Sequence, residues 1–276
     1  MKNLKMCFFA LLVVSFFSCS KEDEKPNGKV DSEMVGVNMT ADFTSELDFN
    51  TGIDAASNNS SYSNKTANEA PTTPACATVT VNNTTPGVFP KIFTIDFGTG
   101  CTQNGITRSG ILTITLSGYV MNNGSTMTIE RNNYYVNLRK IEGTVVYTNQ
   151  TTNASIPQWT RTVTNGKITL LNGAVFTHYG TRTVKQTAGV GTITLGDNIY
   201  EVISGTHTIN RPNGSTLTST VLQPLIKKYA CNYISQGQLN LQGTVLDGIL
   251  DYGNNECDNL ATYFHNPNGQ TYNVNL

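Results

Sequence analysis

The chain has 276 residues with 18 basic and 19 acidic side chains, a net charge of −1, and only 13% charged residues. Near-neutrality without a basic stripe argues against nucleic acid as a partner. Few charges and abundant Thr, Asn, Ser and Gly are the make-up of an extracellular β-protein rather than of long helices, which draw on Ala, Glu, Lys and Leu.

Lys2 and Lys5 precede the apolar run MCFFALLVVSFF at 6–17. A membrane-crossing helix needs roughly 20 apolar residues, so this shorter run behind a positive start reads as a signal peptide over residues 1–18. Without it the chain keeps 16 basic and 19 acidic residues, near −3. The run passes through Phe16-Phe17-Ser18 into Cys19, which resembles the lipobox of bacterial lipoproteins; Phe16 stands where many such motifs carry Leu. Ser20-Lys21-Glu22-Asp23-Glu24 resembles the acidic export tag of Bacteroidetes surface lipoproteins. The resemblance implies acylation of Cys19, by palmitate among other chains, and places the protein on the outer membrane or cell surface. The membrane is then its first partner, since each buried CH₂ contributes about 0.8 kcal/mol.

Residues 19–36 are polar, carry Pro26 and Gly28, and read as a lipidated tether. Residues 37–56 are the one helical segment expected: Thr40 or Asp42 could cap it, and Phe43 and Leu47 fall on one face. The stretch 57–75, with Pro71 and Pro74 and little apolar content, reads as a disordered linker.

From Cys76 the hydrophobic period changes to two. In GILTITLSG (110–118) Leu112, Ile114 and Leu116 share one face, and Thr113, Thr115 and Ser117 the other. Asn-Gly pairs at 104, 123, 165, 172, 213 and 268 mark hairpin turns. Roughly 12 to 14 strands follow, with no helix long enough for a parallel crossover. Residues 76–276 are therefore expected to be all-β: a large antiparallel meander forming a twisted sheet, a sandwich or a partial barrel.

Cys76, Cys101, Cys231 and Cys257 remain once Cys7 leaves with the signal and Cys19 carries lipid, an even count that reads as two disulfides. The segments 76–101 and 231–257 match: each opens on Cys, runs out and back as strands, and reaches Asp-aromatic-Gly before a second Cys. A hairpin turning at its centre brings its ends together, which predicts Cys76–Cys101 and Cys231–Cys257. Each would close a loop of about 26 residues, which stabilises by roughly 3 to 4 kcal/mol. These units and the C-terminal LDYGNNECDNLATYF are similar to a group of Bacteroidetes lipoproteins of unknown function, a likeness that implies an all-β build and a surface location but no activity.

Asp251, Asn254, Asn255, Glu256 and Asp258 are oxygen donors that a calcium ion could use; otherwise they form a polar turn around a disulfide, and no cofactor is expected. His178, His207 and His265 are far apart and read as half-exposed strand residues. No catalytic residue is nominated, because no nucleophile elbow, metal motif or phosphate loop occurs. Asp96 and Asp251 recur in matching contexts that suit turn capping. Tyr134, Tyr135 and Trp159 are candidate ligand-binding aromatics, since an exposed ring can stack on a sugar. The expected function is a lipid-anchored, non-enzymatic surface protein with a binding or structural role toward a polysaccharide or envelope protein. A glycan-binding or glycan-acting surface protein is the alternative.

Overall fold

A 27-residue helix, α1 (Ser32–Asn58), runs through the middle of the molecule, about 40 Å at 1.5 Å per residue. Asp31 caps it, its Oδ1 accepting from the Met34 N–H at 3.0 Å. Every residue from Val37 to Ser57 is buried. Such all-round burial requires a wall on every side, and a single curled sheet supplies it. The computed structural model describes residues 31–59, 61, 73–244 and 246–276.

The wall is one antiparallel sheet of 14 strands, not closed into a barrel. Its strands are β1 (Thr78–Val81), β2 (Lys91–Asp96), β3 (Cys101–Gln103), β4 (Ile106–Leu116), β5 (Thr126–Val136), β6 (Arg139–Asn149) and β7 (Gln158–Thr169). There follow β8 (Val175–Ala188), β9 (Ile199–Asn210), β10 (Thr216–Lys228), β11 (Gln236–Gly243), β12 (Asp247–Asn254), β13 (Leu260–His265) and β14 (Gln270–Asn275). Neighbours in sequence are neighbours in the sheet, except that β3 folds back on β4, which also pairs with β2. Most strands alternate a residue packed inward with one facing out, as Leu112, Ile114 and Leu116 show in β4.

Curling so long a sheet takes kinks, and these sit at glycines. Gly110 (φ +81°) and Gly237 (φ +113°) lie where the ladder registers shift, between Ser109 and Ile111 and between Gln236 and Gln238. A Cβ there would fall 2.0 Å from the Asn133 carbonyl oxygen and 2.2 Å from that of Pro224, so no side chain fits the bend. Five of the six Asn-Gly pairs lie between strands as expected. Asn165-Gly166 does not: it forms a bulge inside β7, where the register shifts between Val163 and Gly166.

Both disulfides form as the matching units predict, with Cα–Cα distances of 5.7 Å for Cys76–Cys101 and 5.5 Å for Cys231–Cys257. The helix corrects the sequence reading. It starts at Ser32, within the stretch read as tether, it is capped by Asp31 rather than Thr40 or Asp42, and it is the core of the β domain instead of a short segment ahead of it. No amphipathic stripe betrays this, because a helix surrounded by sheet buries every face. The signal segment, Cys19 and most of the linker lie outside the described residues; within 57–75, Ser61 is buried and its carbonyl accepts from the Val120 N–H at 3.0 Å.

The aromatic centre of the core is Phe49 on α1, with Tyr147, Tyr200 and Trp159 around it at 4.4, 5.1 and 6.1 Å between ring centroids. Phe49→Ala is expected to lower unfolding free energy by about 3 to 5 kcal/mol. Denaturant titration followed by the fluorescence of Trp159, the single tryptophan, reads this directly.

Candidate functional site

The helix carries acids and no base: Asp42, Glu46, Asp48 and Asp54 are all buried within it. The strands answer from their inner faces. Arg182 of β8 meets Asp42, and Arg161 of β7 meets Glu46 at 2.5 Å and Asp42 at 3.7 Å. Arg131 of β5 meets Asp48 at 2.7 Å. Tyr134 and Tyr252 donate their hydroxyls to Asp48 and Asp42, and Arg108 donates to Thr51 Oγ1 at 2.9 Å. Burial pushes the Glu46 carboxyl above the usual range, with Arg161 pulling the other way. Lys227 lies across the core, where burial lowers its ammonium to about 8 against the pull of Glu46. Its hydrogen bonds go to the carbonyls of Lys228 and Cys231.

His178 and His207, read as separate half-exposed strand residues, are instead a buried pair on β8 and β9, with Nδ1 of one 2.9 Å from Nε2 of the other. Gly166 of the β7 bulge makes the room, since a Cβ there would stand 2.5 Å from His178 Nε2. Burial, with the arginines nearby, lowers His178 to about 3 and His207 well below its ordinary value. His265 is also buried, 3.1 Å from the Tyr263 hydroxyl. Sequence order separates these residues, and only the strand register brings His178 beside His207.

The aromatic candidates do not share a surface. Tyr134 is fully buried and holds Asp48; Trp159 is buried, its indole N–H donating to the Val120 carbonyl at 3.3 Å. Tyr135 is half-buried. The reason lies in β7, where Trp159, Arg161 and Val163 alternate inward. An arginine between two apolar residues of one face looks solvent-facing in sequence, yet it is the partner of Glu46.

Four of the five proposed calcium donors, Asp251, Asn254, Glu256 and Asp258, line one cleft of about 580 Å³ between β12 and β13; Asn255 is not among its lining residues. Asp251 accepts from Gln238 Nε2 at 2.6 Å and from the Gly253 N–H at 2.8 Å. Asp96 accepts from the Gly98 N–H at 2.8 Å, so the repeated Asp-aromatic-Gly is the same capped turn in both units. Asp258 accepts from the Leu260 N–H. Among the described residues no three His, Cys, Asp or Glu side chains converge as metal ligands.

Two outcomes test the interior. Asp48→Asn strands Arg131 and should cost about 3 to 5 kcal/mol, while adding Arg131→Met should restore much of it; a double-mutant cycle in urea measures both. The histidine pair binds no proton in the folded state until well below the unfolded value near 6.5. The contribution of the pair to stability should therefore be steady above pH 6.5 and fall below it by about 1.4 kcal/mol per pH unit and histidine, toward about 3 for His178. Replacing both with Leu should flatten that slope in unfolding curves taken between pH 7.5 and 5.

Comparison of the chain with protein-family models, with curated proteins and with solved structures returns no match.

Proposed function

We propose that this protein is a lipid-anchored, non-enzymatic component of a bacterial outer membrane or cell surface, with a structural or binding role. The observation that carries the reading is the place of α1. Cys19 precedes the first helical residue, Ser32, by 13 positions, and that helix is the core on which the whole sheet is wound. A lipid on Cys19 would hold the body on a spacer spanning at most about 45 Å, rather than on a tether running to residue 75. Tension on such an anchor would fall on the most deeply packed element.

The outward face supports a hydrated structural surface. Thr115, Thr128, Val146, Thr162, Thr181, Thr206 and Thr220 are successive cross-strand partners from β4 to β10, a belt of hydroxyls interrupted once, at Val146. Aromatic stacking on glycan finds little support there, since Trp159 and Tyr134 are internal; among the large outward rings is Tyr179 on β8. The glycan-acting alternative rests on the carboxylates of the β12–β13 cleft, of which Asp251 and Asp258 cap turns.

Mass spectrometry of the mature N-terminus, with metabolic labelling by a palmitate analogue, tests the anchor. The expected product begins at acylated Cys19 and partitions into detergent, and Cys19→Ala abolishes labelling. A free Cys19 or cleavage elsewhere overturns the reading. Release of reducing sugar from a glycan panel by the purified protein would overturn its non-enzymatic part.

A further inference from the structure

The ladder between β12 and β13 has four pairs, from Gly248↔His265 to Asp251↔Thr262, and then stops. Neither strand ends there. β12 continues to Asn254, which still pairs with Gln236 of β11, and β13 begins at Leu260, which pairs with Asn275 of β14. Beyond Asp251 each strand is thus held on its far side while the two near edges part.

The parting is braced. Cys257 is tied to Cys231, and the Asn255 N–H donates to the Ser235 carbonyl at 2.7 Å, both pulling one bank toward β11. Asn259 pulls the other way, exchanging hydrogen bonds with Leu276 at 2.9 and 3.1 Å. The gap is the cleft of about 580 Å³, within the range of sites that take ligands. Tyr252, Leu260, Ala261 and Val274 give it apolar walls, and Asp251, Glu256 and Asp258 put three carboxylates around it. No Lys, Arg or His is among its lining residues. Lys228, which reaches this loop, has its ammonium on the Asn255 carbonyl at 2.8 Å and does not line the cleft.

We propose that this cleft binds an extended peptide segment bearing lysine or arginine side chains, which enters between β12 and β13 as an added strand. The Gly253 and Leu260 N–H groups are taken by Asp251 and Asp258, so the parted edges would pair through their carbonyls, which accept from the N–H groups of an extended chain as in strand-addition complexes. The apolar walls take the side-chain stems, and the carboxylates face the cationic ends. A metal ion would use the carboxylates and leave the edges and apolar walls without a role. The inference goes beyond the anchoring reading and does not depend on it, because the cleft is lined by residues between Asp251 and Val274.

The test is fluorescence anisotropy of the purified full chain with three labelled peptides of about ten residues: alternating Lys-Thr, alternating Glu-Thr, and Lys-Thr N-methylated at alternate amides. The Lys-Thr peptide is expected to bind saturably and to weaken as salt rises. The Glu-Thr and N-methylated peptides should bind at least about tenfold more weakly. The triple variant Asp251→Asn/Glu256→Gln/Asp258→Asn should lose a similar factor with its circular dichroism unchanged, whereas Glu130→Gln/Glu201→Gln, on other strands, should keep full affinity. As a second variant independent of turn capping, Ala261→Trp should block the cleft and weaken binding likewise. Absence of saturable binding, equal binding of the N-methylated peptide, or indifference to both cleft variants overturns the proposal. A calcium-dependent rise in melting temperature that the triple variant abolishes, without peptide binding, would make the cleft a metal site instead.

Discussion

The structure depends on an electrostatic match between an acidic helix and the cationic inner face of the sheet that encloses it. Each of Asp42, Glu46 and Asp48 meets an arginine from β8, β7 or β5 in a space with no water-facing exit for either charge. Desolvating two ions costs several kcal/mol apiece, and their attraction offsets this only when the geometry is right. A helix slid or rotated by one residue would bury the same charges without partners. Apolar packing around Phe49 tolerates small errors of register, and the ion pairs do not. They act as the key by which one alignment of α1 in the shell is chosen.

That constraint explains why the sheet curls and yet stays open. The inner faces must reach round a helix on all sides, which the bulges at Gly110 and Gly237 allow by bending strands where no side chain could sit. The bulge at Gly166 serves a second end, making room for His178 beside His207. The helix fills the interior that the curled sheet encloses. The outward face from β4 to β10 is mostly threonine along one cross-strand row, and the parting between β12 and β13 is where apolar walls and carboxylates meet.

The disulfides have unequal settings despite their matching sequences. Cys76–Cys101 ties β1 to β3 at one edge of the sheet, whereas Cys231–Cys257 braces the cleft near the other. The Asp-aromatic-Gly turn is common to both, with the aspartate capping the glycine N–H. Beyond that turn the second unit adds Glu256 and Asp258 as further cleft carboxylates, where the first has Gly100 and Thr102 around Cys101.

Sequence alone determined what is local. Two-residue periodicity set the strands and their buried faces, as in Leu112, Ile114 and Leu116. Asn-Gly pairs set most hairpins, and the symmetry of the cysteine units set both disulfides. Each of these reports on neighbours along the chain or across one turn, where the physics is short-range. The tertiary structure decided the rest. It made α1 the core, turned Trp159, Tyr134 and four arginines inward, paired His178 with His207, and parted β12 from β13. A side chain's cost of burial depends on what stands opposite, and the partners of Arg161 and Arg182 lie more than a hundred residues away on a helix with no apolar stripe to reveal it.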